Sequence, residues 1–194
     1  MSFRVEEKLL INKHQITEFK SFLSKKKVEI PYPSRIINSL YFENSKEEMY
    51  KDSIEGIVPR KKIRVRNYPN NQNKFLYLEM KISSIEGRYK TSKIINEDTY
   101  KQLINTGIYD RQYGVCQPLI YVTYKREYYK INDVRISIDE NINYSLFSGR
   151  KIGTDDNLII ELKASFNKDR DDLINNFPFQ RTRFSKYCNG FEKI

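Results

Sequence analysis

The chain has 194 residues, 39% of them hydrophobic, and a formal net charge of +10. That allows a single domain with a modest core, and the cationic surplus asks for an anionic partner: nucleic acid, an acidic membrane surface or a phosphate-rich small molecule. One histidine and two cysteines exclude a zinc site of several histidines and a two-histidine relay, and predict free thiols at Cys116 and Cys188 in a reducing compartment.

The opening residues carry charge from Arg4 onward, which fits neither a signal nor a transit peptide. No apolar run approaches the roughly 20 residues of a membrane helix. The expectation is a soluble, cytoplasmic protein of one domain, residues 1–194.

In chain order, the first signal is a strand, with Val5 and Leu9 alternating with Arg4, Glu6 and Lys8. His14 reads as a surface turn residue, and Ile16, Phe19, Phe22 and Leu23 suit a helix after it. A weaker strand covers 39–43. Ile63 and Val65 then alternate with Lys62, Arg64 and Arg66, and Leu78, Met80 and Ile82 with Tyr77, Glu79 and Lys81. A weaker strand over 88–95 precedes a helix over 96–105, opened by the N-cap residue Asn96 and carrying Tyr100, Leu103 and Ile104. A third weaker strand spans 119–128. Val134, Ile136 and Ile138 alternate with Arg135, Ser137 and Asp139, and Leu158, Ile160 and Leu162 with Ile159, Glu161 and Lys163. Short helical pieces are expected at 171–176 and 183–191. The fold class is α+β: about eight antiparallel strands, a number that closes into a small barrel, with a few flanking helices.

The polar faces of these strands hold arginine and lysine, with a few carboxylates on the same parity. The densest run places Arg60, Lys62, Arg64 and Arg66 on one side of one strand. A solvated face is the ordinary explanation for a polar side, but like charges in a row repel and destabilise a sheet unless an anion offsets them. Turned into a barrel, such faces form a cationic lumen. Arginine meets phosphate oxygens in bidentate fashion and lysine as a point charge, while carboxylates reach phosphate through Mg²⁺ or Mn²⁺. That is the equipment of phosphoryl transfer. Glu6 and Glu79 are expected to orient lysines, and Asp139 to brace an arginine.

Several segments resemble one family when taken in order: Arg4-Val5-Glu6-Glu7-Lys8; Asn38-Ser39-Leu40-Tyr41-Phe42-Glu43; Arg60-Lys61-Lys62-Ile63-Arg64-Val65-Arg66-Asn67-Tyr68; Leu78-Glu79-Met80-Lys81; Tyr124-Lys125-Arg126 with Val134 to Asp139; Ile160-Glu161-Leu162-Lys163; and Phe184-Ser185-Lys186-Tyr187. They look like the VTC domain, the polyphosphate polymerase branch of the triphosphate tunnel metalloenzymes. The resemblance implies a closed tunnel of eight strands in which the γ-phosphate of ATP passes to a growing inorganic polyphosphate chain, assisted by Mn²⁺ or Mg²⁺. Carried over by position, Lys8, Arg64, Arg66, Lys81, Arg126, Arg135 and Lys186 would be the catalytic phosphate contacts, and Glu161 the metal ligand. Ser185 would contact phosphate, and Lys93 would be a further phosphate lysine, with Lys90 and Arg88 competing for the place. Arg60, Lys62 and Lys163, on the same polar faces, complete the phosphate- or nucleotide-binding set.

Glu43 stands where the family often has aspartate. Eukaryotic members are longer and carry a phosphate-sensing domain and a membrane anchor, so a membrane-protein partner is left open beside ATP and polyphosphate. Related tunnels that act as triphosphatases or cyclases tend to begin Glu-x-Glu-x-Lys; Arg4-x-Glu6-x-Lys8 leans toward the polymerase branch. The alternatives are a tripolyphosphatase or nucleoside triphosphatase of the same fold, and a non-catalytic polyanion-binding module. Nucleic acid is not expected, because carboxylates interleaved with the cations would repel a plain phosphate backbone.

Overall fold

The alternation read above produces strands throughout. The computed structural model describes residues 4–165, 176–177 and 179–194. In chain order the elements are β1 (Arg4–Ile11), α1 (Gln15–Ser24), β2 (Val28–Glu29), β3 (Arg35–Asn44), α2 (Glu48–Glu55), β4 (Arg60–Asn67), β5 (Leu76–Ser84), β6 (Gly87–Ile95), α3 (Glu97–Thr106), β7 (Ile108–Asp110), β8 (Gly114–Ile131), β9 (Val134–Leu146), β10 (Lys151–Asp155), β11 (Leu158–Ser165) and α4 (Lys186–Phe191). The helical piece expected over 171–176 falls, apart from Asn176, outside the described residues. Two compact units are formed, one from Met1–Arg35, Tyr124–Ile142 and Thr154–Phe184, the other from Ile36–Thr123, Asn143–Gly153 and Ser185–Ile194. The long strands β8 and β9 contribute to both.

In the first unit β11 lies between β1 and β9, and both ladders are antiparallel. Their apolar sides join α1 in one core: Leu9, Ile11, Phe19, Leu23, Ile136, Ile138, Leu158, Ile160 and Leu162 are buried, with Phe22 and Tyr129 packed against them. Each such aliphatic side chain contributes about 1.5–3 kcal/mol. The turn from β8 to β9 is tight, and Asn132 takes its left-handed position at φ 50°, a conformation asparagine tolerates. The second unit carries the order β8-β3-β4-β5-β6, again antiparallel where β3, β4, β5 and β6 meet. Asn96 caps α3 as expected, its side chain accepting from the Thr99 N–H at 2.8 Å.

Two expectations are corrected. The described residues form eleven strands rather than eight, because β2, β7 and β10 are short additions at the ends of β8 and β9. The ladder is also open: its ends are β1 and β6, and among the described residues no pairing joins them. The outer edge of β1 is taken by the chain beyond β11, with the Leu10 N–H donating to Gln180 O at 3.0 Å and the Thr182 N–H to Lys8 O at 2.9 Å. The edge strand β6 carries Arg88, Lys90 and Lys93, and charged side chains of this kind discourage edge pairing.

Candidate functional site

Parts of the polar sides of β3, β4 and β11 are buried. On β4, Arg64 and Arg66 are each 7% exposed while Ile63 and Val65 on the other side are also buried. On β3, Ser39, Tyr41 and Glu43 are buried opposite Leu40 and Phe42, and on β11, Glu161 is buried opposite Ile160 and Leu162. Charge buried this way must be paired or hydrogen-bonded.

Cross-strand register sorts the second unit's polar face into rungs. Tyr41, Arg64, Glu79 and Ser92 lie abreast, as do Ser39, Arg66 and Tyr77. The Arg64 Nε and Nη2 reach Glu79 Oε2 at 2.8 and 2.6 Å, and its Nη1 donates to the Tyr41 hydroxyl at 2.8 Å. Arg66 donates through Nε to Ser39 Oγ at 3.0 Å and lies 3.8 Å from Glu79. Lys90 also pairs with Glu79. Burial alone would raise the Glu79 carboxyl, but Arg64, Arg66 and Lys90 outweigh it and hold it at about 2. Burial would likewise raise the Tyr41 hydroxyl, yet Arg64, Arg66 and Lys62 bring it below the usual tyrosine value.

The next rung aligns three lysines, Lys62, Lys81 and Lys90. Counted with Arg64 and Arg66, these three rungs bring five cations beside two carboxylates, Glu79 and Glu43, and Glu43 is turned to another task. It accepts the backbone N–H groups of Asn44 and Met49 on Oε1 at 2.9 and 3.2 Å, and that of Tyr50 on Oε2 at 2.9 Å, so it sits at the start of α2. Tyr187 of α4 donates its hydroxyl to the same Oε2. Burial pushes the Glu43 carboxyl up, against these donors. The excess of cations is what an anion site requires.

Around α4, Ser185 is the N-cap and accepts both the Cys188 N–H at 3.3 Å and the Lys62 Nζ at 2.8 Å. Lys62 also lies 5.2 Å from the centre of the Tyr187 ring, which in turn packs on Tyr41 at 5.2 Å. Lys186 opens the helix next to Ser185.

The first unit supplies a second cluster. Arg126 forks onto Asp139, Nε to Oδ1 at 2.5 Å and Nη2 to Oδ2 at 2.7 Å, and its Nη2 lies 3.7 Å from Glu161 Oε2. Glu161 is also 3.4 Å from Lys163 Nζ, which is 3.6 Å from Glu6. Lys8, Glu161 and Ser137 share one rung, and Glu6, Lys163 and Arg135 the next. The Lys8 Nζ donates to the Phe184 carbonyl at 2.5 Å.

Of the candidate residues, Lys62, Arg64, Arg66, Lys81, Ser185 and Lys186 thus fall in the second unit's cluster or beside it, and Lys8, Arg126, Arg135, Glu161 and Lys163 in the first's. Two stand apart. Arg60 donates to the carbonyls of Gly56 and Ile57 at 3.2 and 2.9 Å, where α2 ends. Lys93 pairs in register with Leu78 and lies on the apolar side of β6, whereas Lys90 occupies the polar side. Tyr41 and Tyr187 were not singled out from the sequence; Tyr41 shares its parity with Ser39 and Glu43, which is the signal that would have found it.

Among the described residues no group of three or more His, Cys, Asp or Glu side chains could by itself hold a metal ion. Glu161, the carboxylate expected to bind metal, is flanked by the Arg126 guanidinium and the Lys163 ammonium.

The VTC-domain family model matches residues 3–194. The chain belongs to the VTC-domain family. Three solved structures share its fold: PH1819 from Pyrococcus horikoshii OT3, 18% identical over 99% of this chain and 100% of that one, TM-score 0.63; HpAC1 from Hippeastrum, an adenylyl cyclase candidate with a dominant triphosphatase activity, 14% identical over 98% and 96%, TM-score 0.63; and an adenylate cyclase candidate from Vibrio parahaemolyticus, 13% identical over 98% of each chain, TM-score 0.62. The VTC-domain chain therefore has the fold of triphosphate tunnel proteins. No curated protein matches it. No helix among its described residues is long and apolar enough to cross a membrane.

Proposed function

We propose that this VTC-domain chain is a metal-dependent phosphotransferase that moves the γ-phosphate of ATP onto a growing inorganic polyphosphate chain. The observation that carries the proposal is the cation excess on the polar face of the second unit, where buried Arg64 and Arg66, half-buried Lys62 and exposed Lys81 and Lys90 share a face with Glu79 and an already engaged Glu43. A chain of phosphates offsets that excess, and the guanidinium forks suit its oxygens.

Phosphoryl transfer asks the protein mainly for placement and electrostatic stabilisation. Glu79 and Tyr41 hold Arg64 rigid, and Ser39 and Glu79 hold Arg66, so both arrive pre-oriented. Asp139 does the same for Arg126. Glu161 would hold Mn²⁺ or Mg²⁺, which when bound neutralises charge on the phosphate oxygens. Lys8, Lys163, Arg135, Ser185 and Lys186 are assigned as further phosphate contacts, and ATP and polyphosphate as the partners, in a cytoplasmic setting.

Hydrolysis is the second reading, favoured by the triphosphatase activity named for the Hippeastrum fold relative. Incubation with ATP and Mn²⁺, with and without a short polyphosphate primer, separates the two. A length ladder with ADP in step supports transfer to phosphate, and free phosphate without a ladder supports the hydrolase.

A further inference from the structure

We propose that Glu43 is a positioning residue, which through Tyr187 sets α4 so that Ser185 holds the Lys62 ammonium in place for phosphate. The proposal rests on the phosphate-binding reading of the second unit.

Glu43 lies on the polar side of β3, where a carboxylate would be expected to answer the neighbouring cations. Instead both of its oxygens are taken up by the first amides of α2 and by the Tyr187 hydroxyl. It is 4% exposed and Tyr187 is 2% exposed. A buried carboxylate so used joins three elements at one point: β3, which carries it, α2, whose N-terminal amides it accepts, and α4.

The helix α4 has only six residues, too few to hold itself in shape, so its placement depends on its neighbours. The Phe191 ring stacks on Tyr50 of α2 at 4.1 Å. Gly190 lies against Tyr144 and Ile120, where even a methyl group would stand 2.5 Å from a Tyr144 ring carbon. These contacts are apolar and locate the helix roughly. The Tyr187 hydroxyl is the directional contact, and it fixes the rotation of the helix about its axis. That rotation decides where the N-cap Ser185 Oγ points, and Oγ lies 2.8 Å from Lys62 Nζ. Lys62 is flanked across the sheet by Lys81, a like charge that would push a four-carbon stem aside if nothing held it.

The test is a double-mutant cycle on the binding of inorganic tripolyphosphate, followed by titration calorimetry with the full chain. Tyr187→Phe keeps the ring against Tyr41 and removes only the hydroxyl. It is expected to weaken binding about ten-fold, the scale of one hydrogen bond to a charged group. In a Lys62→Gln background the same change is expected to weaken binding less than two-fold, because the two act through one contact. Glu43→Gln should follow Tyr187→Phe, and Glu43→Asp should restore part of the loss. Thermal unfolding of each variant shows that it is folded, and Tyr187→Phe alone suffices if Glu43→Gln does not fold. Equal weakening in both backgrounds, or no weakening in the parent, would overturn the positioning role. Tripolyphosphate binding too weak to detect in the parent would overturn the phosphate-binding reading and with it the proposal.

Discussion

Arg126 and Asp139 form a two-point pair in which Nε and Nη2 of the guanidinium each meet their own carboxylate oxygen, at 2.5 and 2.7 Å, and Asp139 is fully buried. The pair is the fixed point of the first unit's polar face, because Arg126 also approaches Glu161. Removing one partner of a buried pair leaves the other charge uncompensated. Asp139→Ala should therefore lower stability by about 3 kcal/mol, read as a fall in the denaturant midpoint. A change below about 1 kcal/mol would mean that the pair behaves as a surface ion pair.

Acid should act on the second unit through Glu79. Its folded-state pKa is depressed to about 2 from an ordinary 4.5, so its contribution is present above the ordinary value and is lost as pH falls from there toward about 2. The shift corresponds to roughly 3 kcal/mol. Urea unfolding measured from neutral pH downward should show stability declining across that window, and Glu79→Gln should flatten the decline while lowering stability at neutral pH. An unchanged profile in the variant would place the acid sensitivity elsewhere.

Gly190 marks how closely α4 approaches. A Cβ there would stand 2.5 Å from Tyr144 Cδ1 and 3.0 Å from Ile120 Cδ1, and Tyr144 and Ile120 are both fully buried. Gly190→Ala should cost about 1–3 kcal/mol of stability as an overpacked contact and should weaken tripolyphosphate binding by displacing Ser185 from Lys62. Thermal unfolding together with calorimetric titration checks both. A variant as stable as the parent would show that the packing gives way easily.

Much of the polar machinery was readable because period-2 alternation separates an apolar side from a charged side residue by residue, as in Ile63/Arg64/Val65/Arg66 and Ile160/Glu161/Leu162/Lys163. The bracing of an arginine by Asp139 was visible for the same reason. Register was not readable. Whether Lys90 or Lys93 belongs to the polar side is set by which residue faces Glu79, and Ser92 does; that puts Lys90, two residues away, on the polar side. Arg60 has the right parity but begins its strand beside the end of α2, and nearby carbonyls capture it. Helix α2 went unseen because Met49 is its one buried residue, leaving no apolar stripe to detect. Closure of the barrel was expected from strand number and from the family resemblance, whereas the edge of β1 is taken by residues 180–182, a pairing that no alternation signals.

The most direct test follows the γ-phosphate itself. ATP labelled at that position is incubated with the protein, Mn²⁺ and a polyphosphate primer, and label is counted in long-chain polyphosphate and in free phosphate, for the parent and for Glu161→Gln. The account predicts label entering the chain with one ADP per phosphate. It also predicts that Glu161→Gln loses at least about a hundred-fold in that rate while still binding tripolyphosphate. Label recovered only as free phosphate, or a Glu161→Gln variant as active as the parent, would contradict it.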